Sequence, residues 1–365
     1  CRSDRLCMRG ESSYDRRVNA CTSAEPLRAP FPAFGSKRHA ASLIWQALGD
    51  VGSYCEPFCF SAATLLARPG GAGRIETIND ISGHVANFWR AVREKPEEVA
   101  RHLDYPVNEA DLHARHRWLV ARHDDLRAGL DGDPDWCDPK AAGWWAWGAS
   151  AWIGSGWCDG SKPSAKIPSI ANTGTGLHAV PPRQLPSLAA GKSIHAVPPT
   201  QLPHMSNTGG GVHGRTAHLH RWVADLSARL RRVRVACGDF RRVLTPSALC
   251  DRLAPQTGIL LDPPYAVGSH LYGSEGHASV AAEAAAWAAQ AATEHPDWRI
   301  VFCGHEGEHD AVLVGWRVVA WDPSKVFSGG GYGRKNGNPQ RERLWLSPAC
   351  LPVEGEAGRQ RGLFG

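Results

Sequence analysis

The chain has 365 residues, and its 41 Lys and Arg against 36 Asp and Glu give a net charge of +5. This length is enough for one large domain with an insertion, or for two domains. No stretch approaches the roughly 20 apolar residues that a membrane-spanning helix needs, so we expect a soluble protein without membrane contact.

The cysteines argue against both a zinc site and a disulfide framework. There are 11 of them, an odd number, and none forms a Cys-x-x-Cys pair. We therefore expect reduced thiols, a cytoplasmic location and no bound metal. The first 25 residues are polar and lack the apolar core of a signal peptide, so residues 1–29 are predicted to be a disordered tail.

Residues 30–95 contain a turn before a helical pattern and then two predicted strands. A turn ending in Lys37 precedes a helical pattern over residues 40–48 and favours an anion or carboxylate contact, although such turns are common. Residues 54–67 are typical of a strand, a tight turn and the start of a helix, the junction at which α/β folds bind nucleotides. A second predicted strand ends in Asp80, where a carboxylate suits either a ribose diol or the N-cap of the next helix.

The α/β pattern stops between residues 96 and 214. A charged helical stretch over residues 96–127 is followed by a segment rich in Trp and Gly, and then by a segment rich in Pro, Gly, Ser, Thr and His. Residues 177–186 recur in similar form as residues 194–203, but two copies are too few for a solenoid. We interpret the whole region as an insertion that carries recognition.

Arginine is concentrated after this region. Residues 215–242 contain eight arginines against two acids, a pattern that suits phosphate contacts but also a solvated helix face. Asp239 and Phe240, at the end of a predicted strand, offer an acceptor and a ring for a heterocycle. A second basic segment lies at residues 329–343, where Arg334, Lys335 and Arg341 suit either a phosphate backbone or a solvated loop.

A short apolar run over residues 258–261 predicts a buried strand, and it ends in Asp262, Pro263, Pro264 and Tyr265. Consecutive prolines stop both helix and sheet, which leaves their carbonyls exposed. The Asp262 carboxylate and the Pro263 carbonyl can accept the two N–H groups of an adenine amino group, and Tyr265 can stack on the base. The same residues also make ordinary turns, so the pattern alone leaves both interpretations open.

Taken in this order, residues 30–348 resemble the Dam-like, alpha-group DNA adenine methyltransferases that use S-adenosyl-L-methionine. The resemblance implies an α/β fold, with a Rossmann-like methyltransferase sheet that has helices on both faces and an inserted target-recognition domain. It assigns residues 30–95 to a cofactor-binding part, 96–214 to the insertion, 215–350 to a catalytic part and 351–365 to a tail. Double-stranded DNA is the implied substrate, and such enzymes can act beside a separately encoded restriction endonuclease. We expect a monomer.

The resemblance also assigns roles to individual residues. Asp262, Pro263, Pro264 and Tyr265 match the catalytic tetrapeptide of the family. The implied cofactor-binding residues are Phe34, Lys37, Glu56, Pro57, Phe58, Ser61, Asp80, Asp239 and Phe240. The basic residues proposed to contact DNA are Arg215, Arg221, Arg334, Lys335 and Arg341.

The cofactor loop departs from the family pattern Phe-x-Gly-x-Gly, because Phe60 and Ala62 occupy both glycine positions. Glycine there lets the backbone turn sharply and approach the cofactor. Two alternatives to adenine methylation therefore stay open: methylation of the exocyclic amine of cytosine, and a DNA-binding pseudoenzyme in which Phe60 impairs cofactor binding.

Overall fold

A computed structural model describes residues 27–31, 37–105, 109–133, 135–151, 157–158, 211–254, 256–264, 277–321 and 342–353, with backbone alone for 211–217 and 277–278. Within these ranges the strands are β1 (Ser53–Glu56), β2 (Ile75–Asp80), β3 (Val233–Cys237), β4 (Thr257–Leu261), β5 (Arg299–His305), β6 (Arg317–Ala320) and β7 (Glu342–Leu346). The helices are α1 (Ala41–Leu48), α2 (Ala63–Leu66), α3 (Gly83–Glu94), α4 (Pro96–Leu103), α5 (Glu109–Ala121), α6 (His123–Gly132), α7 (Pro139–Ala151), α8 (Gly211–Leu230), α9 (Pro246–Leu249) and α10 (His277–Glu294). The predicted α/β fold class is confirmed.

The strands form a seven-stranded sheet in the order β3-β2-β1-β4-β5-β7-β6. Strands β1 to β5 are parallel to their neighbours among themselves, and β7 is antiparallel to both β5 and β6. The strand order changes direction between β1 and β4, which pair directly with each other. In an open α/β sheet, ligands bind outside the carboxyl ends of the strands at such a switch point.

Two hydrophobic cores cover the two faces of the sheet. Successive side chains of a strand point to opposite faces, and along β5 Ile300 and Phe302 belong to one core while Val301 and Cys303 belong to the other. The buried alanines of α10 complete the first core, and α1, α3 and α8 contribute to the second. Helices therefore lie on both faces, as a parallel sheet requires.

Helices α4 to α7, which come from the region interpreted as an insertion, extend the core on the α3 side. Trp145 and Trp147 of α7 are buried in the same cluster as Phe88 and Trp89 of α3. Helix α4 packs against α7 and α8. In the part of the chain that the structure describes, no helix is both long and apolar enough to cross a bilayer.

A buried ion network ties α8 to the sheet. The Glu76 side chain on β2 is only 2% exposed, and its Oε2 accepts a hydrogen bond of 2.7 Å from Arg229 Nη1. Its Oε1 accepts from Arg229 Nη2 at 3.0 Å and from Arg68 Nη1 at 3.2 Å. Arg229 Nη2 also donates to the Leu65 carbonyl. Arg229 is one of the eight arginines in residues 215–242, for which the sequence left phosphate contact and a solvated helix face open. Its buried ion pair with Glu76 fits neither interpretation.

We expect Glu76→Gln to lower the free energy of unfolding by about 3 kcal/mol, because the buried Arg229 loses its counter-charge and Arg68 keeps only the exposed Asp50. Urea unfolding followed by circular dichroism measures this. The control is Glu94→Gln, which removes the same charge from a half-exposed ion pair with Arg93 and should cost less than about 1 kcal/mol. Equal losses in the two variants would contradict the structural role of the network.

Candidate functional site

Four acidic residues lie at or just after the carboxyl ends of parallel strands. Glu56 ends β1, Asp80 ends β2, Asp239 follows β3 and Asp262 follows β4. Because these strands are parallel, all four residues lie along one edge of the sheet. The edge includes the switch point between β1 and β4, so we take it as the candidate site.

The Asp262 carboxylate forms an ion pair with Lys37, which lies in the turn before α1. Lys37 Nζ is 2.9 Å from Asp262 Oδ1 and 3.8 Å from Oε2 of Glu342, the first residue of β7. The Lys37 side chain is 3% exposed and that of Asp262 is 21% exposed. Burial alone would lower the pKa of the Lys37 ammonium, but the two carboxylates raise it above its usual range. Lys37, which the sequence assigns to the cofactor site as an anion or carboxylate contact, thus pairs with Asp262 of the chain itself and stays positively charged.

Asp262, Pro263 and Pro264 lie directly after the end of β4, as the sequence predicts. Strand β4 ends at Leu261, and Asp262, Pro263 and Pro264 follow it in non-repetitive backbone. Pro263 is buried, while Asp262 and Pro264 are partly accessible. Tyr265 and Phe34, which the sequence assigns to the catalytic tetrapeptide and the cofactor site, lie outside the described residues.

Glu56 is buried at the end of β1, the strand that pairs with β4. Its Oε2 accepts hydrogen bonds from Leu65 N at 3.2 Å and from Tyr54 Oη at 3.3 Å. Burial raises the pKa of the Glu56 carboxyl to about 8; the Leu65 bond opposes this rise, and the Asp262 charge adds to it. At neutral pH the Glu56 carboxyl is therefore mostly protonated. The influence of Asp262 on Glu56 shows that the ends of β1 and β4 are within electrostatic reach of each other.

Asn79, on β2, connects the loops that follow β1 and β3, a role that sequence reasoning missed. Its Nδ2 donates to the carbonyls of Pro57 at 3.0 Å and Gly238 at 2.9 Å. The Asn79 backbone carbonyl accepts from Cys59 N at 3.0 Å. One buried residue therefore sets the spacing of two strand-end loops, and its place beside the strand-end acid was the signal in the sequence.

Asp80 accepts backbone hydrogen bonds through both carboxylate oxygens. Oδ2 accepts from Phe60 N at 3.1 Å, and Oδ1 accepts from Ser82 N at 2.9 Å. Burial raises the pKa of Asp80 to about 6, against the effect of these two bonds. The N-cap position of α3 is Ser82, so the prediction of Asp80 as the N-cap itself is wrong by two residues. A carboxylate has about four acceptor positions, so Asp80 retains capacity for a diol.

Aromatic rings line the β1 and β3 side of the site. The Phe58 and Phe240 rings lie 5.1 Å apart at an interplanar angle of 34°, and Phe240 is buried. Asp239 is about half exposed, and it accepts hydrogen bonds of 2.9 Å from the backbone N and the Nη1 of Arg241. Ser61, also assigned to the cofactor site, is buried in the turn before α2.

Ile81 is a further candidate that sequence reasoning missed. It follows Asp80 directly, and 69% of its surface is exposed. An apolar residue immediately after a strand-end acid was a signal available in the sequence. Here it offers an apolar contact beside a carboxylate.

The loop after β1 keeps a glycine-like backbone although it contains no glycine at the two family positions. Phe60 has φ of 35° and Ala62 has φ of 47°, both in the left-handed region. The Phe60 ring lies edge-on to Phe31 at 5.6 Å and to Trp145 at 6.0 Å. The Phe60 carbonyl accepts a hydrogen bond of 2.9 Å from Trp89 Nε1. Packing against α3 and α7 therefore holds a conformation that side chains disfavour.

Arg221 is the one predicted DNA contact whose side chain the structure describes. Arg221 of α8 is exposed, and only the backbone of Arg215 is described. Arg334, Lys335 and Arg341 lie outside the described residues. Within the described ranges, no group of three or more His, Cys, Asp or Glu side chains is arranged to hold a metal ion.

Comparison with known proteins identifies no relative. No protein-family model matches the chain, and no curated protein matches it. The assignment of function therefore depends on the geometry of the site and on the motifs in the sequence.

Ala62→Gly should be about 1–2 kcal/mol less destabilising than Ala47→Gly, although both remove one buried methyl group. Glycine relieves the left-handed strain at position 62, whereas at position 47 it weakens α1. Chemical denaturation of the two variants beside the unmodified protein gives the difference. Equal destabilisation would show that the loop stores no such strain.

Proposed function

We propose that the protein is a DNA adenine methyltransferase that uses S-adenosyl-L-methionine and has a Rossmann-like sheet with an inserted target-recognition domain. The observation that carries the proposal is the position of Asp262, Pro263 and Pro264 at the end of β4. The loop of Glu56 and Phe58 lies across the switch point from them, at the end of the paired strand β1. A site for two substrates needs the residues that would hold the base, at the end of β4, close to the loop that would hold the cofactor, at the end of β1.

The residues along the β1 to β3 side fit the parts of the proposed cofactor. Asp80 has acceptor capacity left for a ribose diol, and the exposed Ile81 offers an apolar surface next to it. Phe58 and the half-exposed Asp239 lie further along the same edge and suit a heterocycle with an amino group. When bound, S-adenosyl-L-methionine supplies a methyl group from its sulfonium and departs as the neutral thioether.

The chain's own contribution to the reaction is positioning. A target adenine must leave the duplex before its amino group can reach a recessed site. The Asp262 carboxylate and the Pro263 carbonyl then accept hydrogen bonds from the two amino N–H groups and direct the nitrogen lone pair toward the methyl group. Once the nitrogen carries the methyl group, it releases one of its two protons to solvent. Lys37 fixes the orientation of Asp262, because their 2.9 Å ion pair is largely removed from solvent.

Methyl transfer from labelled S-adenosyl-L-methionine to unmethylated duplex DNA tests the proposal, with digestion to nucleosides and mass analysis of the product. We expect N6-methyladenine, and Asp262→Ala should lower kcat by about 10²–10³-fold because an acceptor to the amino group is lost. Asp262→Asn keeps an acceptor oxygen and should lose less.

The matched control is Asp297→Ala, which removes an exposed aspartate before β5, at the opposite edge of the sheet, and should leave kcat within about two-fold. N4-methylcytosine as the product would favour the cytosine alternative. No methylation by protein that measurably binds the cofactor would contradict both.

The pseudoenzyme alternative depends on Phe60, whose ring contacts Phe31 and Trp145 and is 39% exposed. We expect the unmodified protein to bind S-adenosyl-L-methionine, and Phe60→Gly to change the dissociation constant by less than about ten-fold. Isothermal titration calorimetry measures both. A Phe60→Gly variant that binds the cofactor when the unmodified protein does not would establish the pseudoenzyme.

A further inference from the structure

Glu342 reaches the candidate site because β7 runs against the parallel strands. As the first residue of an antiparallel strand, it lies at the edge of the sheet where β4 and β5 end. Its partner in the register is His305, the last residue of β5. The motifs in the sequence assign no role to Glu342.

One buried ammonium is shared by two carboxylates at this edge. Lys37 Nζ lies 2.9 Å from Asp262 Oδ1 and 3.8 Å from Glu342 Oε2, so Asp262 holds the closer contact. The side chains of Lys37, Asp262 and Glu342 are 3%, 21% and 12% exposed. Charges this far removed from solvent interact more strongly than they would at the surface.

The shared ammonium affects how well Asp262 accepts hydrogen bonds. An ammonium paired with Asp262 alone would hold that carboxylate in its ionised form and compete for its lone pairs. A second carboxylate on the same ammonium opposes both effects. Among the described residues, Glu56 of β1 and Cys303 of β5 also interact electrostatically with Asp262, and burial favours the neutral form of each because it raises their pKa values.

We infer that Glu342 is a positioning residue of the candidate site, which draws part of the Lys37 charge away from Asp262 and so keeps Asp262 a strong hydrogen-bond acceptor. The inference deepens the proposed function, on which the acceptor role of Asp262 rests. The contacts of Lys37 with Asp262 and Glu342 are part of the folded structure, so their effect on Asp262 can be measured without any reaction.

The test is a pH titration of the Asp262 carboxyl by NMR of protein labelled with ¹³C at aspartate Cγ, with Asp262→Asn to assign the signal. Glu342→Gln should lower the titration midpoint of Asp262 by about one pH unit, because Asp262 then holds the ammonium alone. Glu342→Asp withdraws the carboxylate by one methylene and should give a smaller shift in the same direction. This second variant decides the question if the Gln variant does not fold.

The matched control is Glu306→Gln, which removes the same charge from an exposed residue paired with Arg343 of β7. It should move the midpoint by less than about 0.3 unit, because solvent screens its effect. Shifts for Glu342→Gln and Glu342→Asp no larger than this would overturn the inference.

Enzyme kinetics separate this inference from the proposed function. If the protein methylates DNA, the acid limb of the kcat profile should move to lower pH in Glu342→Gln, with the KM for S-adenosyl-L-methionine within about two-fold of the unmodified value. An unchanged acid limb would count against the inference. If the protein transfers no methyl group, the proposed function fails, and the titration still decides whether Glu342 acts on Asp262.

Discussion

The parallel pairing of β1 with both β2 and β4 is the constraint on which the candidate site depends. Tyr54 pairs with Gly258 and Cys55 with Ile259, so Glu56 and Asp262 end up at the same edge of the sheet. A side chain on Gly258 would meet Val51 at 2.9 Å, so the close approach of β4 to the segment before β1 needs a glycine there. The site exists because two strands far apart in the chain are neighbours in this register.

The two buried ion networks around Glu76 and Asp262 differ in how accessible their carboxylates are to solvent. The Glu76 carboxylate is saturated by Arg229 and Arg68 and is almost inaccessible, which is typical of a network that only supports the fold. Asp262 pairs with Lys37, and its side chain is 21% exposed at the switch point. A partly buried carboxylate that stays accessible in a cleft is a candidate for ligand binding.

Phe60 contacts the helices α3 and α7. The Phe60 ring contacts Trp145 of α7, and its carbonyl accepts from Trp89 of α3. The loop after β1 therefore keeps its left-handed turns through contacts with these helices rather than through glycine flexibility. Under the proposed function, the cofactor loop and the recognition region would share an interface, and Phe60 would belong to both.

The sequence by itself indicated four strands of the parallel part of the sheet and the acids at their ends, because hydrophobic periodicity and the Asp-Pro-Pro ending are local signals. It also singled out Lys37 as an anion or carboxylate contact, without naming a partner inside the chain. Only the tertiary structure paired Lys37 with Asp262, brought Glu342 beside them and buried Arg229 against Glu76. These contacts join residues from distant parts of the chain, and they follow from strand order and burial, which no local pattern encodes.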